Sequence, residues 1–421
     1  MDIIYAIHQF YPDSFSGTER FLLQLASSIR RSGHHPRVLT YSLGDIQAAR
    51  MVGELLVKEY DYHGIAVTAV RHKKVPIDVN TSLQAPSILS FAREYLGRNK
   101  CDLLHIAHPM RLAPVAAAAA ERSIPYGVTL TDFWTICPKV NLRTSFDTLC
   151  VGPEGGARCA RSCPELQSDF VKSRLECSRK LLAGAQYVVA PSRFLAAIFK
   201  RELPDLNVSI IPHGLRLGAF SSNRRTYDQT SRLIFAYCGG LAPHKGVHIL
   251  LEAFRSLPSA NVELRVYGAT SEHQRDYECQ LRDIAEKDER IRFYGRYDES
   301  EINEIFQSID VVIIPSLCYE SYSFTLHEAL ASNVPIIASD VGGLNEKIAE
   351  AGAGFTFRME DQEDLESKLA SIAADPAILN EIKRAMETVV LPLEEEEAYL
   401  YERIYQTAVS RRAAEVHGPG R

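Results

Sequence analysis

At 421 residues, 46% of them hydrophobic, the chain is long enough for two domains of roughly 200 residues, each with a core of its own. A formal charge of −6, from 53 acidic against 47 basic side chains, excludes an overall attraction to nucleic acid or to an anionic membrane. Nine cysteines, an odd number in a long chain, make no disulfide framework, and no apolar run approaches the ~20 residues of a membrane span. Met1 leads straight into IIYAI with no charged flank or cleavage pattern, so the expected location is the cytosol.

Ile3 to Ile7 reads as a first strand, followed by the loop HQFYPDSFSGTER and the helical stretch FLLQLASSIRRSG, whose Leu22, Leu25, Ala26 and Ile29 share one face. Gly17, near the start of that helix, either lets a backbone approach a phosphate or eases a turn. RVLTY, IAVTAV, CDLLHIAH, YGVTLT and AQYVVAPS then recur as short strands between helical stretches, the pattern of a doubly wound α/β domain with a largely parallel sheet. VSIIPHG closes this domain, and LGAFSSNRRTYDQTS reads as a linker because it is polar and lacks periodicity.

The pattern then restarts. SRLIFAYCGG is a strand ending in Gly239 and Gly240, LAPHKG a loop, and VHILLEAFRSL an amphipathic helix. The strands VELRVYG and RIRFYG follow, with helices around Tyr277 to Glu286 and over SEINEIFQSI, and PIIASD and AGFTF add two more strands. From Leu393 a helix carries Leu400, Tyr401, Ile404, Tyr405 and Ala408 on one side, which needs a partner surface; the final EVHGPGR is expected to fray.

The stretch Asp310 to Asp340 organises the second domain. Val311 to Pro315 suits a strand buried on both faces, Ser321 to Thr325 are small or polar, and Leu326, Ala329 and Leu330 take up helical spacing. A helix N-terminus there would offer the amides around Ser323, Phe324 and Thr325 to a diphosphate. Glu320 and Glu328 would flank that anion and accept hydrogen bonds from sugar hydroxyls; the plainer alternative is two solvated acids at a helix start. Upstream, Cys137, Cys150, Cys159 and Cys163 end in a C-x3-C pair, and four thiolates could enclose a tetrahedral zinc, with buried free thiols as the alternative.

Glu320, seven residues and Glu328, followed by ALASNVPIIASDVGGLNE, resemble the signature of the retaining nucleotide-sugar glycosyltransferases of family 4. FYP with SGTE, DLLHIAH, SRFLAAIF, IPHG, CGGLAPHKG, VYG and FYGRYDESEI occur in the family's order, so the resemblance spans nearly the whole chain. It implies an α/β GT-B fold of two facing Rossmann-like domains, with an acceptor side over residues 1–216, a linker over 217–230, a donor-binding domain over 231–391, and a C-terminal helix over 392–412 returning to the first domain. It implies that Lys245 holds the donor diphosphate, that Glu328 accepts from the nucleotide ribose, and that Glu320 lies beside the transferred sugar. Ser321, Tyr322, Ser323, Phe324 and Thr325 would line the donor amides, Arg296 and Tyr297 would meet the base, and Gly17 would approach the diphosphate from the other domain. Thr18, His105, His108 and Asp132 are the candidates on the acceptor side, with Glu320, Lys245, Asp132 and His108 as the catalytic set.

Two departures stand out. Gly240 occupies the position where the family usually has an arginine beside the lysine, and Thr131 replaces a histidine in TLTDFW. The reaction implied is metal-independent, retaining transfer from a UDP- or GDP-linked sugar to a saccharide or lipid-linked saccharide, with no cofactor for catalysis, no nucleic-acid partner and peripheral contact with the inner membrane face. A nucleotide-sugar epimerase or sugar phosphorylase of the same fold, and a non-catalytic partner subunit, are the alternatives.

Overall fold

The computed structural model describes residues 1–416 apart from Phe15, Asp45, Ser259 and residues 271–273, with side chains up to residue 412; residues 417–421, at the end expected to fray, lie outside the described residues. The chain divides into two compact units, Met1–Gly214 with the segment from Glu394 onward, and Leu215–Leu393.

The first unit is built on nine strands: β1 (Asp2–Ile7), β2 (His35–Tyr41), β3 (Arg50–Val52), β4 (Leu55–Tyr62), β5 (Ile65–His72), β6 (Leu103–Ile106), β7 (Tyr126–Thr129), β8 (Tyr187–Ala190) and β9 (Val208–Ile210). Their order across the sheet is β3-β4-β5-β2-β1-β6-β7-β8-β9. Strands β5-β2-β1-β6-β7-β8-β9 pair in parallel, and their apolar runs are buried, Ile3 to Ile7 completely so, apart from the edge strand β9, where Ile210 is exposed. The antiparallel pair β3 and β4 is absent from the sequence reading. Its residues alternate between burial and solvent, so the apolar runs that mark the parallel strands are missing. The tight connection from β4 to β5 is made by His63 and Gly64, both at positive φ (51° and 76°), which matches the twist of a hairpin.

The helix Glu394–Val416 completes this unit. Tyr401 and Tyr405 are fully buried beside Tyr5 and Tyr187, while Leu400, expected on the same face, is 42% exposed. The buried stripe runs instead through Glu394, Glu397, Ala398, Tyr401, Tyr405 and Ala408. Its two acids are satisfied: Glu394 accepts from Ser28 Oγ at 2.7 Å and pairs with Arg31, and Glu397 meets His213 Nδ1 at 2.9 Å and accepts from the Gly214 N–H at 2.8 Å.

The second unit has six parallel strands, β10 (Leu233–Cys238), β11 (Val262–Tyr267), β12 (Ile291–Gly295), β13 (Val311–Ile314), β14 (Ile336–Ser339) and β15 (Gly354–Phe357), in the order β12-β11-β10-β13-β14-β15. Strand order reverses between β10 and β13, and ligands of such sheets bind beyond the carboxyl ends of the strands at that reversal. The segment 217–230, expected as a linker, is instead part of this unit. Asn223 and Tyr227 are buried, Asn223 Nδ2 donates to Ile309 O at 3.0 Å, Arg225 pairs with Asp310 at 2.8 Å, and the Tyr227 hydroxyl donates to the same carboxylate at 2.9 Å. These polar residues looked unpartnered because their partners lie some 80 positions away in sequence.

Candidate active site

In the second unit the reversal point is crowded by design of the chain. β10 ends in Cys238, Gly239 and Gly240, and a short turn over Pro243–Lys245 leads through Gly246 into the helix Val247–Arg255. Gly246 sits at φ +68°, and a Cβ there would stand 1.9 Å from Pro315 O just past β13, so only glycine lets these two loops touch. That contact places Lys245 against the loop after β13. Lys245 Nζ lies 2.7 Å from Glu320 Oε1, and Ser316 Oγ donates to the same oxygen at 2.5 Å. Burial alone would push the Lys245 ammonium down, but the Glu320 charge outweighs it and the net shift is upward. Burial likewise opposes ionisation of Glu320, and Lys245, Ser316 and His244 together hold its carboxyl below the usual range. Both are therefore charged at neutral pH, and both keep some exposure, 33% for the lysine side chain and 13% for the glutamate.

The helix Phe324–Ala331 starts immediately after, with Ser323 as its N-cap accepting from the Leu326 N–H at 3.2 Å. Thr325 Oγ1 donates to Cys238 O at 3.2 Å, which ties the helix start to the end of β10. Ser321 to Thr325 are half-buried, so this positive helix end faces the same crevice as Lys245. Glu328 is 2% exposed, one turn inside the helix, and Tyr322 stacks on His327 at 4.3 Å between ring centroids. Tyr297 is half-buried and meets Tyr267 edge-on at 6.3 Å, Tyr267 stacks on Tyr294 at 4.7 Å, and Arg296 is exposed. An aromatic corner therefore lies at the ends of β11 and β12, beside the reversal.

In the first unit the reversal lies between β1 and β6, and the residues just beyond these strands, His8 and His108, have ring centroids 4.1 Å apart. The Met110 N–H donates to His108 Nδ1 at 3.2 Å, which leaves the ring proton on Nε2, 2.8 Å from Asp132 Oδ2. The other Asp132 oxygen accepts from the Trp134 N–H at 2.8 Å. His108 is 2% exposed and Asp132 28%, so the carboxylate is the more accessible of the two, with the histidine behind it. Both ring nitrogens of His108, expected as catalytic, are engaged within the chain. His105 is corrected outright. It is fully buried, its ring nitrogens lie 3.0 Å from Thr129 Oγ1 and 2.7 Å from the Tyr405 hydroxyl, and burial pushes its pKa down to about 3. It is a core residue packed under the C-terminal helix.

Gly17 opens the helix Gly17–Arg31 and is exposed, with Thr18 half-buried behind it. Glu19 Oε2 accepts from the Ser16 N–H at 2.6 Å, while Glu19 Oε1 is buried, without a hydrogen-bond partner and 3.6 Å from His8 Nε2. Burial raises the Glu19 carboxyl and drives His8 well down, so this pair tends to neutrality. Sequence reasoning missed His8, Glu19, Ser316 and His244. The signal was available for two of them: His8 and Ser316 lie within two residues of the ends of strands that flank a reversal. Cys137, Cys150, Cys159 and Cys163 belong to the first unit, between β7 and β8, and all are buried. Among the described residues no helix is long and apolar enough to cross a membrane.

Comparison with known proteins adds the family. Residues 15–218 match the family model described as Glycosyltransferase Family 4, and residues 222–388 match Glycosyl transferases group 1. The chain is 25% identical over 212 residues to the lipopolysaccharide 1,2-N-acetylglucosaminetransferase of Salmonella typhimurium, covering 47% of this chain and 52%, about half, of that one. Among solved structures, sucrose-phosphate synthase from Thermosynechococcus elongatus superposes with a TM-score of 0.69 at 18% identity over 98% of this chain and 100% of that one. Anabaena Alr3699/HepE, solved in complex with UDP and glucose, does so with a TM-score of 0.63 at 18% identity over the full length of both. The two family models meet end to end along the chain and the likenesses reach across both units: the chain is a GT-B glycosyltransferase and belongs to family 4.

Proposed function

We propose that the chain transfers a sugar, with retention of configuration, from a nucleoside-diphosphate sugar to a hydroxyl of a saccharide or lipid-linked saccharide in the cytoplasm. The observation that carries this reading is the Lys245–Glu320 pair, 2.7 Å apart, set beside a capped helix N-terminus at the reversal point of a parallel sheet. The leaving diphosphate would take the lysine and the helix amides, Glu328 the ribose hydroxyls, and Tyr297 with Arg296 the base. Glu320, released from Lys245 by the phosphates, would accept from a hydroxyl of the transferred sugar. Same-face attack needs no protein nucleophile, because the departing diphosphate accepts the acceptor's proton; the protein contributes alignment and stabilisation of charge on the leaving group. No metal takes part in this scheme, the positive charge coming from Lys245 and the helix.

On the acceptor side Asp132, oriented by His108 and Trp134, accepts from the incoming hydroxyl and fixes its position. Exposed Lys73 and Lys74 near the fully exposed Ile77 support peripheral contact with an anionic bilayer, where a lipid-linked acceptor resides. The test is a panel of labelled UDP-, GDP- and ADP-sugars with saccharide and lipid-linked acceptors, following nucleoside diphosphate release and the anomeric configuration of the product. Transfer with the donor's configuration is expected. An inverted product, a free epimerised sugar, or no turnover with any pair would overturn the reading.

A further inference from the structure

The strongest feature outside the transfer site is the irregular stretch between β7 and β8 in the first unit. Cys137, Cys150, Cys159 and Cys163 all face one cavity of about 10 Å³, closed by Ile136, Pro138, Leu142, Pro153 and Leu166. That is about the space of one small atom or water, and besides the thiols and these apolar groups its wall includes Arg143, Arg158 and Ser162. Each of the four is more than nine-tenths buried, and none is in a disulfide. The spacing is C-x12-C-x8-C-x3-C, so the four thiols come from three separate stretches, around Cys137, around Cys150, and the short helix Ala157–Ser162 with its C-cap Cys163, that converge on one point of the fold. The other five cysteines do not line this cavity: Cys101, Cys177 and Cys279 are partly or fully exposed, and Cys238 and Cys318 are buried in the second unit.

A second observation concerns charge. Arg174 is 3% exposed and spends its guanidinium on main-chain carbonyls, with Nε donating to Thr81 O at 2.8 Å and Nη1 to Thr135 O at 3.1 Å, and its plane lies over Trp134 at 4.5 Å. Among the described residues no carboxylate lies within ion-pair distance of it, and the groups whose charge it feels are, in order, Cys137, Asp132, Cys159 and Cys177. Arg143 and Arg158 line the cavity itself; Arg158 pairs with Glu154 and Arg143 lies 3.8 Å from Asp147. Arg174, which feels Asp132 at longer range, is the buried positive charge that further negative charge would stabilise. Four neutral thiols supply none, whereas four thiolates round a divalent ion leave a net charge of −2. Main-chain N–H groups of Lys139 and Leu142 also point at the Cys137 sulfur.

We infer that Cys137, Cys150, Cys159 and Cys163 form a structural zinc site, in which the ion replaces four thiol protons and pins the three stretches together. As they stand the sulfurs ring the cavity without closing on it: among the described residues no three His, Cys, Asp or Glu side chains already converge as they would round an ion. Zinc, with Zn–S bonds of about 2.3 Å, draws them inward by rotation about single Cα–Cβ bonds, which the irregular backbone on either side accommodates. The site's work is local. It holds the hairpin between Arg143 and Leu149, whose tip carries the exposed Phe146, and its loss would free that hairpin.

Full-length protein purified under reducing conditions without chelator, from zinc-supplemented medium, should carry about one zinc per chain by elemental analysis. Cys159→Ser with Cys163→Ser should lose it, and Cys279→Ser, at an exposed position, should keep it. Should the double variant fail to fold, the parent protein grown on cobalt decides: a tetrahedral four-sulfur site gives intense thiolate-to-cobalt bands and split visible bands, with faster proteolysis at Phe146 after chelation. Less than about a tenth of a zinc per chain with no cobalt bands, iron with inorganic sulfide in place of zinc, or zinc retained by the folded double variant would each overturn the assignment. Metal content is read without any sugar donor, so its outcome is independent of the transfer reaction.

Discussion

At the scale of single residues the proposed transfer rests its donor chemistry on one lysine. Gly240 leaves the site without the second cation usual in the family, and its α-carbon faces open space, with no atom within 4 Å of where a Cβ would stand. Lys245→Ala should therefore lower kcat/KM by about 100-fold or more, the size seen when a donor to transition-state charge is removed. Turnover within about fivefold of the parent would place the phosphates elsewhere. Gly240→Arg should do the reverse, tightening nucleoside diphosphate by about tenfold, or ~1.4 kcal/mol, the low end for a charged hydrogen bond at an exposed position. The two glutamates separate by partner. Glu328→Gln should weaken nucleoside diphosphate and whole donor alike, by roughly 1.5 to 3 kcal/mol. Glu320→Gln should leave nucleoside diphosphate bound as well or better, since Lys245 no longer has a carboxylate at 2.7 Å competing with phosphate, and yet lose turnover. Calorimetric titration of both variants beside their rates distinguishes these, and an equal loss of nucleoside diphosphate affinity in both would mean that Glu320 serves the nucleotide.

At the scale of elements, two junctions carry the site. Gly246→Ala would force a Cβ onto Pro315 O and a side chain into positive φ, so urea unfolding should show a loss on the order of 1 to 3 kcal/mol together with weaker donor binding. A variant as stable as the parent would mean that the two loops part freely. The second junction is the C-terminal helix over His105. A histidine held at a pKa of about 3 by burial binds fewer protons folded than unfolded, so stability is present above its unfolded pKa near 6.5 and is lost as pH falls toward 3. Its share of the slope approaches ~1.4 kcal/mol per pH unit, and His105→Asn should flatten the pH dependence of unfolding between about pH 6 and 4.5 relative to the parent. Equal slopes would show that the imidazole accepts its proton in the folded state. These junctions also mark how far the sequence was legible. Parallel strands, the strand-loop-helix at Glu320 and the capped helix start were readable because apolar runs and caps are local patterns. His105 was misread, and 217–230 taken for a linker, because their partners Tyr405 and Asp310 come from the far end of the chain or the opposite side of a sheet. The pair at Lys245 and Glu320 is separated by 75 positions, and only the resemblance to a family brought it into view.

For the whole molecule the decisive fact is chain order: the second unit, Leu215–Leu393, is one uninterrupted stretch, whereas the first is closed by a helix that follows it. Leu215–Leu393 contains a complete six-stranded sheet and every donor-side group from Gly239 to Glu328. Expressed alone it should fold cooperatively and, on the proposed reading, bind nucleoside diphosphate within about tenfold of the full chain, that is within ~1.4 kcal/mol. It should show no transfer, because Asp132 and its supports lie in the other unit. Residues 1–214 alone should behave differently. Removing the helix withdraws Tyr401 and Tyr405, and burying two such rings is worth on the order of 8 kcal/mol by area, an upper figure that still matches the ~5 to 15 kcal/mol stability of a typical domain. It also leaves His213 without Glu397 and uncovers Tyr5, His105 and Tyr187, so this fragment should be a loosely packed or aggregating chain until a peptide spanning the helix is supplied. Circular dichroism, urea titration and calorimetry on the two pieces test the asymmetry. A folded Leu215–Leu393 that ignores nucleoside diphosphate would show that the first unit, and not Lys245 with its helix, carries most of the donor affinity.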